Sequence, residues 1–178
     1  MGIGNRAVTD ADDRLRGNNS INNVVAGTGV GDELKGYEGN DTLFGYAGND
    51  TLDGGSDHDI LMGGAGRDTL TGGTGSDIFR FVTANEGIDT ITDFTSGTDK
   101  IEVVSPNFGN LSVGTLDLDR FLSTDATQTN ANSVFLYDNG TGLLRFDRDG
   151  YGNAAPVQIA SLIGNRNLNY SDIQIVAA

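Results

Sequence analysis

Cysteine and tryptophan are absent from this 178-residue sequence, and proline occurs only twice. Without cysteine there is no disulfide, no thiolate metal ligand and no cysteine nucleophile. No apolar run approaches the roughly 18 residues needed to span a membrane. The segment 1–17 contains no apolar stretch like the core of a secretory signal peptide, so we expect any export to depend on a different signal.

Apolar, aromatic and basic residues are also scarce. Only 37% of the chain is apolar and 7% is aromatic, while 11 basic residues face 25 acidic ones for a net charge of −14. This balance argues against nucleic acids and anionic membrane surfaces, which attract basic patches, and it suits cations. With 27 glycines and so little apolar material, the chain requires a cohesive force other than an ordinary core.

A nine-residue repeat organises the first half of the chain. From Gly27 the sequence divides without gaps into GTGVGDELK, GYEGNDTLF, GYAGNDTLD, GGSDHDILM, GGAGRDTLT and GGTGSDIFR. Position one is always Gly, position six is always Asp, and position eight is always Leu or Phe. An earlier block from Asn18, NNSINNVVA, keeps this outline with Asn23 at position six, as an atypical terminal repeat would.

Each position of the block has a physical reason. Glycines at positions one, two and four permit tight or positive-φ turns and a close approach of carbonyl groups. The residues around position eight predict a short strand with its Leu or Phe pointing inward. Each block therefore makes one turn and one strand, two blocks complete one coil, and every turn stacks directly on the turn two blocks before it.

This stacking predicts two rows of carboxylates. Residues 27–77 hold ten acidic and two basic residues, a net charge of −8. Facing carboxylates would repel one another unless a cation lay between them, and an oxygen-only ligand set of flexible geometry favours Ca²⁺ over Mg²⁺ or a transition metal. The expected rows consist of Asp32, Asp50 and Asp68 along one edge and of Asp41, Asp59 and Asp77 along the other.

These blocks resemble the RTX calcium-binding nonapeptide G-G-x-G-x-D-x-U-x, in which U is a large apolar residue. The resemblance implies that each ion takes carbonyls from positions two and four and the Asp of one turn, and carbonyls from positions one and three and the Asp of the turn two blocks later. The implied sites are Val30, Asp32, Gly45 and Asp50; Gly39, Asp41, Gly54 and Asp59; Gly48, Asp50, Gly63 and Asp68; and Gly55, Asp59, Gly72 and Asp77. Further carbonyl candidates from the same loop positions are Gly36, Ala47, Ser56, Asp57, Gly64, Ala65, Gly66 and Thr74.

Three departures from the pattern bear on these sites. Val30 stands at position four where Gly is expected, which would distort the first site. Asp57 replaces the position-four Gly, where it tolerates a left-handed backbone and its carbonyl still serves. Asn23 weakens any site shared with Asp41. The side chains of Asp53, Asp57 and Glu38 are interpreted as solvated loop charges rather than as extra ligands.

After residue 80 the repeat stops and strand-like alternation takes over. IFRF, DTITDF, DKIEVV, SVFLYD, GLLRFD, PVQIASL and DIQIV each predict a strand, and DNGTG at 138–142 predicts a hairpin turn. LDLDRFLSTDA is compatible with a short helix or an irregular loop. GSDIFRF, FLYDNGTGLLRFDRDGYGN and YSDIQIVAA resemble the C-terminal domain of RTX proteins, which implies an uncleaved type I secretion signal. The same resemblance implies Asp89, with Glu86 behind it, as a ligand of the last ion.

The predicted architecture is all-β: a flexible leader at 1–17, a right-handed parallel β-roll at 18–80 and a β-rich C-terminal cap at 81–178. The predicted function is that of a secreted module that folds on binding about four to six Ca²⁺ ions and supports type I export. No enzymatic activity is expected, because the only histidine, His58, stands at a free loop position and no HExxH motif is present. The alternatives are a carbohydrate-binding module and the accessory tail of a larger secreted enzyme or adhesin.

Overall fold

A computed structural model of the protein describes residues 4–7, 14–16, 22–105, 107–109, 111–123, 133–150, 154–164 and 167–178, with the backbone alone at 4–7, 14–16 and 123. The described chain is all-β, and its only helical elements are two 3₁₀ turns, at Leu118–Arg120 and Tyr170–Asp172. The predicted fold class is confirmed, because successive strands wind into a parallel β-solenoid. No helix of the described residues has the length and apolarity that crossing a bilayer requires.

Each nine-residue block contributes one strand. The block beginning at Asn18 ends in β3, although residues 18–21 lie outside the described part of the chain. The strands of the repeat region are β3 (Asn23–Ala26), β4 (Glu33–Glu38), β5 (Thr42–Gly48), β6 (Thr51–Ser56), β7 (Ile60–Gly66), β8 (Thr69–Thr74) and β9 (Ile78–Phe81). Two short strands, β1 (Gly4–Ala7) and β2 (Arg14–Arg16), fall within the segment expected to be a leader and pair in parallel with β3 and β4.

Alternate strands belong to opposite sheets, so two blocks complete one coil. Sheet A carries β1, β3, β5, β7 and β9, and sheet B carries β2, β4, β6 and β8. Within each sheet the neighbours are parallel, and equivalent positions of every second block lie opposite one another, as with Leu34 and Leu52 or Leu43 and Leu61. The register therefore places identical block positions in rows along the solenoid.

The core between the sheets is one side chain deep. Position eight supplies a fully buried residue from every block, with at most 1% of its surface exposed. Because only one large apolar residue in nine faces inward, the core alone offers little cohesion for a chain of this length. The residues of this row are Val25, Leu34, Leu43, Leu52, Leu61, Leu70 and Phe79.

The parallel stack continues beyond residue 80. β10 (Asp89–Ile91) pairs with β8, and β11 (Lys100–Val104) pairs with β9. Ile91 lies opposite Leu70, and Ile101 lies opposite Phe79, although each of these steps along the sequence is longer than two blocks. The inserted residues form loops, so the coil keeps its register although the nine-residue pattern has ended.

The remaining strands close the solenoid. Sheet B is extended past β10 by β16 (Val157–Leu162), β15 (Leu143–Asp147), β14 (Val134–Asp138) and β13 (Phe121–Ser123), and sheet A is extended past β11 by β17 (Ile173–Val176) and β12 (Gly114–Thr115). The hairpin predicted at 138–142 is confirmed, because β14 and β15 pair antiparallel around it. The segment left open as helix or loop forms the first 3₁₀ turn and β13, and residues 124–132 lie outside the described chain.

Two contacts hold this closing region together. Phe146 packs against Phe108 and Phe135 with ring centroids 5.1 Å apart in both pairs, which gives the C-terminal region a small aromatic core. Asp172, only 1% exposed, accepts hydrogen bonds from Ser96 Oγ at 2.6 Å and from the Gly97 N–H at 3.0 Å. This carboxylate ties the last strand to the loop between β10 and β11.

Candidate calcium sites

The position-six aspartates form two carboxylate ladders, one along each edge of the solenoid. In every member after the first of each ladder, one carboxylate oxygen accepts the backbone N–H of the ladder residue one coil earlier, at 2.7 Å from Asp32 N to Asp50 and from Asp41 N to Asp59. Every member of the ladders is at least 95% buried. The first ladder contains Asp32, Asp50, Asp68 and Asp89, and the second ladder contains Asn23, Asp41, Asp59, Asp77 and Asp99.

The other carboxylate oxygen of most ladder members has no partner. Oδ2 of Asp41, Asp50, Asp59 and Asp68 is buried and accepts no hydrogen bond from any described residue, and the same holds for Oδ1 of Asp32. A buried carboxylate oxygen without a donor or a cation is strongly unfavourable, because it has lost water without replacement. These oxygens are therefore available as ligands for a cation in the folded state.

Backbone carbonyls converge on the same places. A Cβ added to Gly27 would lie 2.7 Å from Asp32 Oδ2 and 2.8 Å from the Gly45 carbonyl, so these two oxygens flank one point. The equivalent point at Gly36 is flanked by Asp41 Oδ2 and the Gly54 carbonyl, and the arrangement repeats along both edges. The same convergence occurs for Asp50 with Gly63 and for Asp59 with Gly72.

The donor set fits a hard divalent cation. Carboxylate and carbonyl oxygens from two successive coils meet at each step, which is the ligand chemistry that Ca²⁺ prefers. Within the described residues, no three His, Cys, Asp or Glu side chains gather into a metal-binding cluster. The geometry thus brings together the Asp of one turn and the position-one glycine carbonyl of the next coil, in the pairs expected for the four sites.

The residues at positions two to four line the outer rim of the turns. Gly39, Gly48 and Gly66 have φ values of 111°, 131° and 149°, which are conformations that glycine adopts freely. Val30 is 43% exposed, and its carbonyl lies beneath Gly48 of the next coil. The other carbonyl candidates lie at the ends of strands on this rim: Ala47 on β5; Gly55 and Ser56 on β6; Gly64 and Ala65 on β7; Thr74 on β8.

The ladders carry perturbed carboxyl groups. Burial, together with the charges of Asp68 and Asp32, raises the pKa of Asp50 to about 6. Burial, with Asp77, Asp41 and Asp57 nearby, raises the pKa of Asp59 to about 7. Burial also raises the pKa values of Asp41, Asp68 and Asp77. A ladder without cations therefore resists full ionisation, because its charges are desolvated and face one another.

Both ends of the ladders differ from the middle. Asp89 accepts the Asp68 N–H at 3.1 Å, and burial, followed by the charges of Asp68 and Glu86, raises its pKa to about 8. The Glu86 carboxylate accepts the Thr83 N–H at 2.9 Å, so it is held by its own loop. At the opposite end, the Asn23 N–H lies 2.6 Å from Asp41 Oδ1, and an amide occupies the ladder position.

Asp99 is a ladder member that the sequence pattern did not identify. Its Oδ1 accepts the Asp77 N–H at 3.1 Å, and its Oδ2 accepts the Thr95 N–H at 2.7 Å. The step from Asp77 is 22 residues, so a search at the two-block period misses it. The available signal was the order Asp99, Lys100, Ile101, which repeats the Asp-x-apolar order of every block.

His58 lies outside the ladders, as predicted. It is exposed, and its Nδ1 accepts the Ser76 N–H at 2.9 Å. Asn40 makes the equivalent hydrogen bond in the preceding coil, where its Oδ1 accepts the His58 N–H at 3.1 Å. Position five thus forms an outer ladder of side chain to backbone hydrogen bonds.

The repeats match a known family. Residues 26–61 and 53–91 match the family model described as the RTX calcium-binding nonapeptide repeat, in four copies. This part of the chain therefore carries RTX calcium-binding repeats, and its β-roll is built on them. No curated protein sequence matches the chain.

Two solved structures are similar to the whole chain. The solution structure of the AlgE6R3 subunit of the Azotobacter vinelandii mannuronan C5-epimerase is 24% identical with a TM-score of 0.40, and the match covers 97% of this chain and 84% of that one. The AlgE6R2 subunit of the same enzyme is 25% identical with a TM-score of 0.40, over 93% of this chain and 94% of that one. The fold of this chain is established by the pairing and register of its own strands, independently of these two structures.

Proposed function

We propose that this chain is a calcium-triggered folding module of a secreted protein. The observation that carries the proposal is the row of buried, unpartnered carboxylate oxygens, of which those of Asp41, Asp50 and Asp59 lie beside a carbonyl of the next coil. A bound calcium ion would supply the positive charge that balances these carboxylates. Where calcium is scarce, the ladder repulsion and the entropy of a glycine-rich chain oppose folding; where it is abundant, binding free energy becomes folding free energy.

The residues of the roll cooperate in this response. Asp41, Asp50 and Asp59 each face two intervals, because one oxygen accepts a hydrogen bond from the earlier coil and the other lies beside a carbonyl of the later coil. Filling one interval orders the turns that form the next one, as in other linear repeat proteins. Extracellular calcium modules have dissociation constants of about 10⁻⁴ to 10⁻³ M, so we expect folding outside the cell and not in the cytosol.

Circular dichroism of the full chain during a calcium titration tests this function. The strand signal is expected to appear cooperatively with calcium, to vanish on addition of a chelator and to respond far less to magnesium. A strand signal that is independent of both calcium and chelator would contradict the proposal. Counting bound ions in the same titration tests the expected number of about four to six.

We further propose that residues 18–80 form the repeat part of the calcium-responsive roll and that residues 81–178 complete and cap it and carry an uncleaved type I export signal. The support is the resemblance of the tail residues to RTX C-terminal domains. A cargo protein fused before Met1 and co-expressed with a type I secretion apparatus is expected in the medium. Removal of residues 167–178 is expected to retain the cargo in the cells. Equal secretion with and without those residues would contradict the export proposal.

A second candidate function is the binding of a neutral saccharide, as in an accessory module of a larger secreted enzyme or adhesin. A depression of about 300 Å³ on the outer face of sheet B is lined by residues that include Tyr37, Lys35, Glu38, Asp53 and Ser56. An aromatic ring among hydrogen-bonding side chains suits a sugar, and the acidic rim disfavours an anionic one. Affinity electrophoresis in neutral and acidic polysaccharide gels with calcium present tests this. Unretarded migration in every gel would exclude it.

A further inference from the structure

One turn of the roll carries a charged side chain at loop position four, where most of the other turns have glycine. Position four is glycine in four of the full blocks, with φ between 111° and 149° at Gly39, Gly48, Gly66 and Gly75. In the fourth block this position is Asp57, which takes a φ of 81°. Left-handed backbone is unfavourable for a residue with a side chain, although Asp tolerates it better than most. An Asp at this strained position therefore suggests a function for its carboxylate.

The carboxylate of Asp57 reaches across one interval of the second ladder. Its Oδ2 accepts the Gly39 N–H at 3.1 Å, so the side chain spans from its own coil to the turn that contains Asp41. That interval holds the buried, unpartnered Oδ2 of Asp41, with the Gly54 carbonyl beside it. Asp41 and Asp59 are the two ladder members that bound this interval, and Asp57 lies two residues before Asp59.

We propose that Asp57 makes the interval between Asp41 and Asp59 the tightest calcium position of the roll and the first to fill. The inference rests on the proposed calcium-dependent folding. The carboxylates of Asp41 and Asp59 bound this interval and that of Asp57 spans it, whereas the interval between Asp50 and Asp68 has Gly66 at the corresponding loop position. The affinity of a calcium site rises with the number of negative charges around it. Asp57 is itself exposed, so it acts through its field rather than as a buried ligand.

Calorimetric calcium titration of the full chain, with a competing chelator to resolve the tight step, tests the proposal. The variants are Asp57→Asn, which keeps an acceptor for the Gly39 N–H, and Asp57→Gly, which introduces the glycine found at this position in four other turns. Asp53→Asn is the matched control, since it removes one half-buried charge on the roll that pairs with Lys35. Both Asp57 variants are expected to weaken the tight step about tenfold and to leave the number of ions unchanged. The control is expected to stay within about twofold.

The salt dependence of calcium binding distinguishes an electrostatic effect of the Asp57 charge from a structural effect of the substitution. The difference between the native chain and Asp57→Asn is expected to shrink as ionic strength rises, because an exposed charge is screened. A native chain that binds calcium without a distinct tight step, or an Asp57→Asn variant that matches the control, would overturn this inference and leave calcium-dependent folding intact. A native chain that shows neither binding heat nor a calcium-dependent strand signal would instead remove the proposed function itself.

Discussion

At the scale of single residues, the roll is built around places where a side chain has no room. The position-one glycines face the carboxylate of their own turn and, along most of the roll, a carbonyl of the next coil. The glycine column visible in the sequence is therefore the space in which ladder oxygens of two coils meet. This aspect of the candidate sites could be predicted from the sequence, because a requirement repeated in every block leaves a repeated residue.

Filling that space is expected to prevent the roll from closing. In Gly45→Ala the new Cβ would meet Asp50 Oδ2 and the Gly63 carbonyl, both well inside van der Waals contact. We expect a loss of about 2–4 kcal/mol in the free energy of unfolding with calcium present, measured by urea denaturation. Gly29→Ala is the control, since nothing lies within 4 Å of its added Cβ and its stability should change little. Equal stability of the two variants would contradict the prediction.

The ladder carboxyl groups predict opposite pH responses with and without calcium. Asp59 has a folded pKa of about 7 against an ordinary value of 3.8, because burial favours its neutral form. Without calcium, the folded state therefore holds this proton more tightly than the unfolded chain. Its contribution to stability is present below the unfolded pKa and is lost as pH rises towards 7.

With calcium, the ion and the proton compete for the same carboxylates, so the calcium concentration at the folding midpoint should rise as pH falls from about 8 to about 5. Circular dichroism titrations at several pH values would measure this shift. A midpoint that is the same at both ends of this range would contradict the assignment of these carboxylates as ligands.

At the scale of strands, hydrophobic packing is regular but thin. Each strand of the repeat contributes one fully buried side chain, and those of neighbouring strands in a sheet lie in register. The strands of the repeat could be predicted because turn and strand residues alternate strictly within nine positions. The later strands β10 and β11 keep the same stacking, but their inserted loops hide it from a fixed period, which is why the pattern does not reveal Asp99.

Truncation of one core side chain tests how far neighbouring coils support each other. Leu52 on β6 is fully buried between Leu34 and Leu70 of the adjacent strands. We expect Leu52→Ala to lower the free energy of unfolding by about 2–5 kcal/mol in calcium, because it removes apolar contacts and leaves a cavity. Leu118→Ala, at a site that is 66% exposed, serves as the control in the same denaturation experiment. A smaller loss for Leu52→Ala than for the control would contradict this account of the core.

At the scale of the whole molecule, the solenoid and its closing region form one continuous pair of sheets. The irregular topology of that region, with the antiparallel pairs of β12 with β17 and of β15 with its neighbours β14 and β16, could not be predicted beyond its strands and one hairpin. No repeat constrains it, and the pairing depends on contacts between distant segments. Asp172, which joins residues more than 70 positions apart, is such a contact.

Removal of this contact is expected to loosen the end of the molecule. Burial alone would raise the pKa of Asp172, but hydrogen bonds from Ser96, Asn169 and Gly97 and the charge of Lys100 hold it below its ordinary value, so the group is ionised at neutral pH. We expect Asp172→Ala to cost about 2–4 kcal/mol and to increase amide exchange in β17 first. Asp117→Ala, at an exposed site, is the control. Unchanged exchange in β17 would contradict the role given to Asp172.

The unequal steps of the two ladders have a further consequence. Through the repeats every ladder step is 18 residues. Because the blocks are similar, a stack displaced by one coil would lose only the contacts of the coil at its end. Among the described residues, the steps of 21 and 22 residues to Asp89 and Asp99 occur only at the C-terminal end of the ladders, and a stack displaced by one coil would not reproduce them. This irregular end therefore fixes which coil stacks on which along the whole solenoid.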